Sequence, residues 1–270
     1  MYTEYFGFKN KPFTYTSDPD LLFMSKSHRE VLDALEYGIR NRVGFLAITG
    51  EIGSGKTTLC RYLLKNLPQT ISTAYIFNSS LTEIQFLQTF LTDLGLDVGK
   101  KNRHALFSDL NAYLIAELKA ARNVVLIIDE AQNLSLRLME QIRMLSNLET
   151  DKEKLLQIIL VGQPELADKL NHASLKQLRQ RIVIRFHVGA LSKHEVSEYI
   201  KLRLQGADSR NAPVFSSDAI DAVYIYSGGI PRLINTICDK CLLAAYAAQS
   251  NSIDVNTANR AIHDTEGVLV

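Results

Sequence analysis

The stretch GEIGSGKTT, Gly50 to Thr58, constrains this chain more than any other. An apolar run, VGFLAIT at 43–49, precedes it and a helical pattern, CRYLLKNL, follows. A simple strand-to-helix turn needs one glycine. Here Gly50, Gly53 and Gly55 stand ahead of Lys56, Thr57 and Thr58, with Glu51, Ile52 and Ser54 between them, and fit G-x-x-x-x-G-K-[ST]. Glycines let backbone N–H groups turn inward and approach phosphate oxygens closely. A helix starting near Lys56 adds the positive end of its dipole. Lys56 is placed to reach the β- and γ-phosphates, and the Thr57 hydroxyl to bind Mg²⁺.

A second stretch, VVLIIDEAQ, completes that chemistry. An apolar run ending in Asp129 sets a carboxylate at the C-terminal end of a buried strand, where open parallel sheets bind their ligands. Asp129 is the expected Mg²⁺ ligand and Glu130 the expected base for an attacking water. Together the two stretches point to nucleoside triphosphate hydrolysis rather than nucleotide storage.

The rest of the chain supplies the frame. Apolar runs at 43–49, 72–77, 123–129, 155–162 and 182–188 alternate with amphipathic segments. Runs this apolar are buried on both faces, as in a parallel sheet covered by helices. The expected fold is α/β, a P-loop αβα sandwich on a five-stranded parallel sheet, followed by a small all-helical lid. Ser80 with Glu83, and Ser192 with Glu195, read as capping boxes. Leu106, Leu110, Leu114 and Leu118 recur at helical spacing. The expected parts are an N-terminal segment over 1–42 packing near the nucleotide's base, a P-loop α/β body over 43–189 and a helical lid over 190–270. Cys238 and Cys241 lie in a helical pattern without a second pair, so they read as buried thiols.

With these motifs the chain resembles the AAA+ ATPases, and that resemblance implies ATP as the nucleotide. It implies that Gln163, closing the fourth strand in LVGQPEL, senses the γ-phosphate. It gives an arginine of LKQLRQRIVIRF, Arg181 first and Arg179 second, a role in a neighbouring subunit's site. SGGIPRLIN matches the pattern in which a lid arginine touches the γ-phosphate, here Arg232, with Gly228 and Gly229 as the hinge. A narrower resemblance, carried by YFGFKNKPF, GEIGSGKTTLCR, VLIIDEAQNL, LVGQPEL, LRQRI and GGIPRLIN, is to the ExeA-type ATPases of the general secretion pathway. It implies ATP hydrolysis that drives envelope assembly, in type II secretion or related pilus systems. The implied partners are neighbouring subunits and an inner-membrane assembly protein. In secretion members a membrane span and a peptidoglycan-binding module follow the ATPase.

Other assignments stay open at this level. Phe6, Phe8 and Phe13 either cover the adenine ring or staple the terminus to the core. His28 and Tyr37 are candidate adenine neighbours. A DNA-binding regulator of the transposition-target type shares the same core motifs, but it needs a basic track. The net charge is +1, and Lys100, Lys101, Arg103, Lys152 and Lys154 are mixed with acids, so nucleic acid is not the expected partner. A nucleotide-gated scaffold that scarcely hydrolyses is the third reading, and Asp129 with Glu130 argues against it. No run reaches the ~18 apolar residues of a membrane span, and the start lacks the pattern of a signal peptide. The expected location is the cytoplasm, at the inner face of the inner membrane through a partner or an anchor.

Overall fold

A computed structural model describes residues 2–77, 81–150, 153–209 and 211–266. By contacts the chain divides into two units: Lys26–Gly50 with Leu59–Val188, and Met1–Ser25 with Glu51–Thr58 and Gly189–Val270.

The first unit is built on five parallel strands, β1 (Phe45–Gly50), β2 (Ile71–Ile76), β3 (Asn123–Ile128), β4 (Gln157–Gly162) and β5 (Ile182–Val188), in the order β2-β3-β4-β1-β5. The five predicted runs match these strands to within two residues. Every residue of β3 and β4 is buried, which is why their sequences are apolar without alternation. One face carries Val124, Leu126, Ile128, Ile158 and Leu160 in a core shared with α4 (Glu83–Asp93), α5 (Arg103–Lys119) and α6 (Leu136–Leu145). Leu106, Leu110 and Leu114 of α5 are buried there, as their spacing predicts. The chain leaves β1 for the far edge, returns through β3 and β4, then passes β1 to reach β5. The C-terminal ends of β1, β3 and β4 therefore share one edge, at the point where strand order reverses. Helices α2 (Lys26–Arg40), α7 (Pro164–Leu170) and α8 (Lys176–Arg181), with most of α3 (Lys56–Asn66), complete this unit.

The α4 cap differs from the expected one. Ser80 lies outside the described residues. The capping box is formed by Thr82 and Gln85: the Gln85 N–H donates to the Thr82 hydroxyl (3.3 Å), and the Thr82 N–H to the Gln85 carboxamide oxygen (2.9 Å). Glu83 is instead the first helical residue, and its carboxylate accepts from Arg137 (2.6 Å). The second box, Ser192 with Glu195, forms as predicted.

The second unit packs α9 (Lys193–Gly206), α10 (Ser217–Ser227), α11 (Pro231–Ala247) and α12 (Val255–Glu266) around their own core. It is not all-helical. Two-residue strands β6 (Val214–Phe215) and β7 (Ser252–Ile253) pair in parallel, a length too short to leave a periodic signal. The N-terminal aromatics Phe6, Phe8 and Phe13 lie in this core, beside α1 (Tyr2–Tyr5). Arg203 of α9 anchors the same segment, donating to the carbonyl of Pro12 (2.7 Å) and the hydroxyl of Thr14 (3.0 Å). The stretch predicted as one segment over 1–42 is thus shared, its first 25 residues with the helices and α2 with the sheet.

Candidate nucleotide site

The glycine-rich loop joins β1 to α3 (Lys56–Asn66). Gly50 closes β1 opposite Val188. Gly53 and Gly55 have φ of 82° and 98°, the left-handed region that side chains disfavour. The Ser54 N–H donates to the carbonyl of Glu51 (3.1 Å), which tightens the loop. Lys56 opens α3 with 6% of its surface exposed, and its Nζ donates to the Glu51 carbonyl at 2.9 Å. Burying an ammonium is costly unless it is bonded, so the loop folds its cation back onto its own backbone. Glu51 and Ile52 are exposed at the loop tip, Ser54 is buried, and Thr57 and Thr58 are half-buried.

The same loop meets the lid helix. The Arg232 N–H donates to the Gly53 carbonyl at 3.3 Å. A Cβ on Gly53 would lie 2.5 Å from the Arg232 Cβ. Only glycine permits that approach. Pro231 occupies the first turn of α11, where its missing N–H costs nothing. Gly228 caps α10 at φ 56°. Gly229, at φ 77°, passes the backbone of Leu191 so closely that a Cβ would sit 2.1 Å from its carbonyl oxygen.

At the end of β3 the Asp129 N–H donates to the Ile76 carbonyl (2.9 Å), which extends the β2 pairing by one residue. Asp129 is fully buried, and its carboxylate is held from two sides. The Tyr75 hydroxyl of β2 donates to Oδ2 at 2.7 Å, and the Glu130 N–H to Oδ1 at 2.9 Å. Burial, with the bond to Asp129, pushes the Tyr75 hydroxyl pKa well above its ordinary value. Glu130 adopts φ 52°, ψ 37°, a left-handed conformation that costs a non-glycine residue about 1–3 kcal/mol. The turn aims its carboxylate along the end of the sheet. There Oε2 accepts from Gln132 Nε2 (2.5 Å) and from Gln163 Nε2 (3.1 Å). The structure thus brings Asp129, Glu130 and Gln163 together, and adds Tyr75 and Gln132, which the motif reading passed over. Tyr75 sits in an ordinary-looking strand. Gln132 follows the carboxylate pair in DEAQ, and its sequence position was the one available signal.

Of the two arginines, Arg181 is bonded within its own unit, donating to the Ser146 hydroxyl and to the Arg143 carbonyl (3.3 Å) at the end of α6. Arg179 makes a long contact with Asn171 (3.4 Å). On α2, His28 is buried and Tyr37 is 62% exposed; nine residues apart, they lie on opposite faces of the helix. Cys238 and Cys241 are buried in α11, and burial pushes the Cys241 thiol up to about 12. Three of the basic residues are paired, Lys101 with Asp109 (3.0 Å), Arg103 with Glu83 (3.5 Å) and Lys154 with Glu149. Lys152 lies outside the described residues. Among the described residues no helix is long and apolar enough to cross a membrane.

The donor chemistry fits a magnesium nucleotide. In its own unit each of Thr57 and Asp129 carries a hard oxygen donor, and the positive-φ glycines with Lys56 at a helix N-terminus suit a polyphosphate.

Residues 39–170 match the AAA domain family. General secretion pathway protein A of Aeromonas hydrophila is 43% identical over 269 residues, 99% of this chain. The chain spans about half the length of that relative, 49%. Among solved structures, Aeropyrum pernix ORC2 in its ADPNP–ADP complexes superposes with TM-score 0.70 at 15% identity, over 94% of this chain and 71% of that one. Drosophila ORC bound to DNA gives 0.69 at 18%, over 94% and 64%. The Thermotoga maritima RuvB Holliday junction branch migration motor gives 0.61 at 19%, over 92% and 72%. At these identities the likeness is one of fold.

Fold and loop define a P-loop protein of the AAA+ class. Within that class the chain is similar, over nearly its whole length, to general secretion pathway protein A.

Proposed function

We propose that this chain is a Mg²⁺-dependent ATPase that couples hydrolysis to assembly of the bacterial envelope, in type II secretion or a pilus-type system. The observation that carries the enzymatic part is the carboxylate pair at the end of β3, Asp129 buried and Glu130 half-buried in a left-handed turn and bonded to Gln163. The pathway rests on the 43% identity to a general secretion pathway protein.

In this reading Gly50, Glu51, Ile52, Gly53, Ser54, Gly55 and Thr58 supply the loop that takes the phosphates, and Lys56 neutralises them. Thr57 and Asp129 hold Mg²⁺. With the metal bound, charge on the phosphate oxygens is offset and the γ-phosphoryl group is polarised. Glu130 accepts a proton from the attacking water at its carboxylate, and ADP with inorganic phosphate is the outcome. Gln163 orients Glu130 and reads the γ-phosphate, and Arg232 couples the loop to the lid helix. A neighbouring subunit supplies an arginine to the developing charge. Arg181 is committed to α6 in its own chain, which supports Arg179 for that task. Changes in lid and subunit packing deliver the work to a membrane-bound assembly partner.

Phosphate release from ATP in the presence of Mg²⁺ tests the enzymatic claim. Lys56→Ala and Glu130→Gln are each expected to lower turnover about 10²-fold or more. Unchanged turnover in both variants would contradict it.

A further inference from the structure

We infer that Gln132 is a positioning residue that fixes the catalytic carboxylate and locks it to the end of β4; this rests on the ATPase reading above. Its carboxamide spans two strands' ends. Nε2 donates to Glu130 Oε2 (2.5 Å), while Oε1 accepts from the Gln163 N–H (3.1 Å). Glu130 Oε2 also receives the Gln163 side chain at 3.1 Å. Glu130, Gln132 and Gln163 thus close a ring of three hydrogen bonds. A carboxylate held by two amide donors at one oxygen has a fixed direction for the other.

Two neighbouring features hold Gln132 itself. Lys169 of α7 donates to the carbonyls of Gln132 and of Leu134 (2.9 Å), which pins the single turn over Ala131–Asn133. Gly162 leaves the space its side chain crosses: a Cβ there would lie 2.7 Å from Gln132 Oε1. The orientation of Glu130 is therefore set by a residue that touches neither nucleotide nor water in the proposed mechanism. The same amide reports to Glu130 any shift of Gln163.

Gln132→Leu replaces the carboxamide by a branched apolar side chain one bond shorter and removes both bonds, and Gln132→Ala is the second variant. The first readout needs no nucleotide. Hydrogen exchange in the peptide over 161–165 is expected to speed up in both variants, because the Gln163 N–H loses its acceptor, while exchange elsewhere in β4 is unchanged. The second is steady-state ATP turnover. Here kcat is expected to fall about tenfold or more, with KM and the affinity for a fluorescent ATP analogue within about twofold. In a Glu130→Gln background the Gln132 change is expected to add nothing. The inference is overturned by unchanged exchange at 161–165, by kcat within about twofold of wild type, or by a loss that adds fully to that of Glu130→Gln. A fall in kcat accompanied by a lowered melting temperature and faster exchange throughout β4 also overturns it, as a structural role. Wild type with no turnover overturns the ATPase reading, and this inference with it.

Discussion

The Tyr75 hydroxyl donates to Oδ2 of Asp129 at 2.7 Å, across neighbouring strands and inside the protein. A buried carboxylate is stable only when bonded, and removing one partner costs about 1–3 kcal/mol. Tyr75→Phe is therefore expected to lower the stability of the unliganded protein by about that amount. It also frees Asp129 to turn, so half-maximal turnover should need several-fold more Mg²⁺. Urea melts and a Mg²⁺ titration of phosphate release check both effects. An unchanged melt would show that the bond contributes nothing.

Gly53 meets Arg232 through a backbone bond and a contact that a Cβ would violate at 2.5 Å. Gly53→Ala adds that clash to a residue at φ 82°, where a side chain costs about 1–2 kcal/mol. The expected outcome is weaker binding of a fluorescent ATP analogue, about tenfold or more. Arg232→Ala keeps the backbone bond and should lower turnover while the loop retains its shape. Equal binding by Gly53→Ala and wild type would show that the close approach is not needed.

How much of this was readable beforehand differs between elements. Strands β1, β3 and β4 were legible because they are almost wholly buried, so their runs are continuously apolar; β2 and β5, at the two edges of the sheet, keep apolar runs although β2 is mostly half-buried and β5 mostly exposed. The α5 helix was legible because Leu106, Leu110 and Leu114 return every turn. The α4 cap was misplaced because Ser80 and Thr82 both stand ahead of an acid or amide at the right spacing, and local sequence alone does not choose between them. The β6–β7 pair is two residues long and is made by packing, not pattern. Asp129 and Glu130 were legible as a motif. Tyr75 and Gln132 were not, because their roles depend on which strands become neighbours. The sequence of β2 contains no information about β3.

The side chain of Glu117 is 6% exposed and accepts from Arg122 Nε (2.8 Å) and from the Ser72 hydroxyl (2.6 Å). The Arg122 bond, with smaller help from Ser72, holds its carboxyl below the usual carboxylate range. A lowered folded value means stability that is present above the unfolded pKa and is lost as pH falls through the folded one. Glu117→Gln should thus lower the melting temperature at pH 7, and the difference from wild type should shrink below about pH 4. Parallel melts at pH 7 and pH 3 decide it. A difference independent of pH would contradict the ionic account.

Cys60, Cys238 and Cys241 are buried and unoxidised. A thiol pushed up to about 12 is scarcely ionised at neutral pH, and the thiolate is the reactive form. A maleimide or iodoacetamide should therefore leave the native protein unlabelled for hours and modify all three cysteines in denaturant, as read by intact mass. Rapid labelling of Cys241 in the native state would mean that α11 opens.

Arg181→Ala removes bonds at the end of α6 and should lower stability by about 0.5–1.5 kcal/mol per bond lost. Arg179→Ala should leave the melt unchanged and lower turnover only at protein concentrations where subunits associate. If Arg181→Ala instead leaves the melt intact and abolishes concentration-dependent turnover, the assignment of the two is reversed.

The central claim, that Glu130 performs the chemistry while the loop at Lys56 binds the nucleotide, is tested most directly by one measurement. Wild type and Glu130→Gln are mixed with ATP and Mg²⁺, separated rapidly from free nucleotide, and the bound nucleotide is identified by chromatography over time. The account predicts that both bind, that wild type carries ADP, and that Glu130→Gln still carries ATP. ADP appearing on both at the same rate would contradict it.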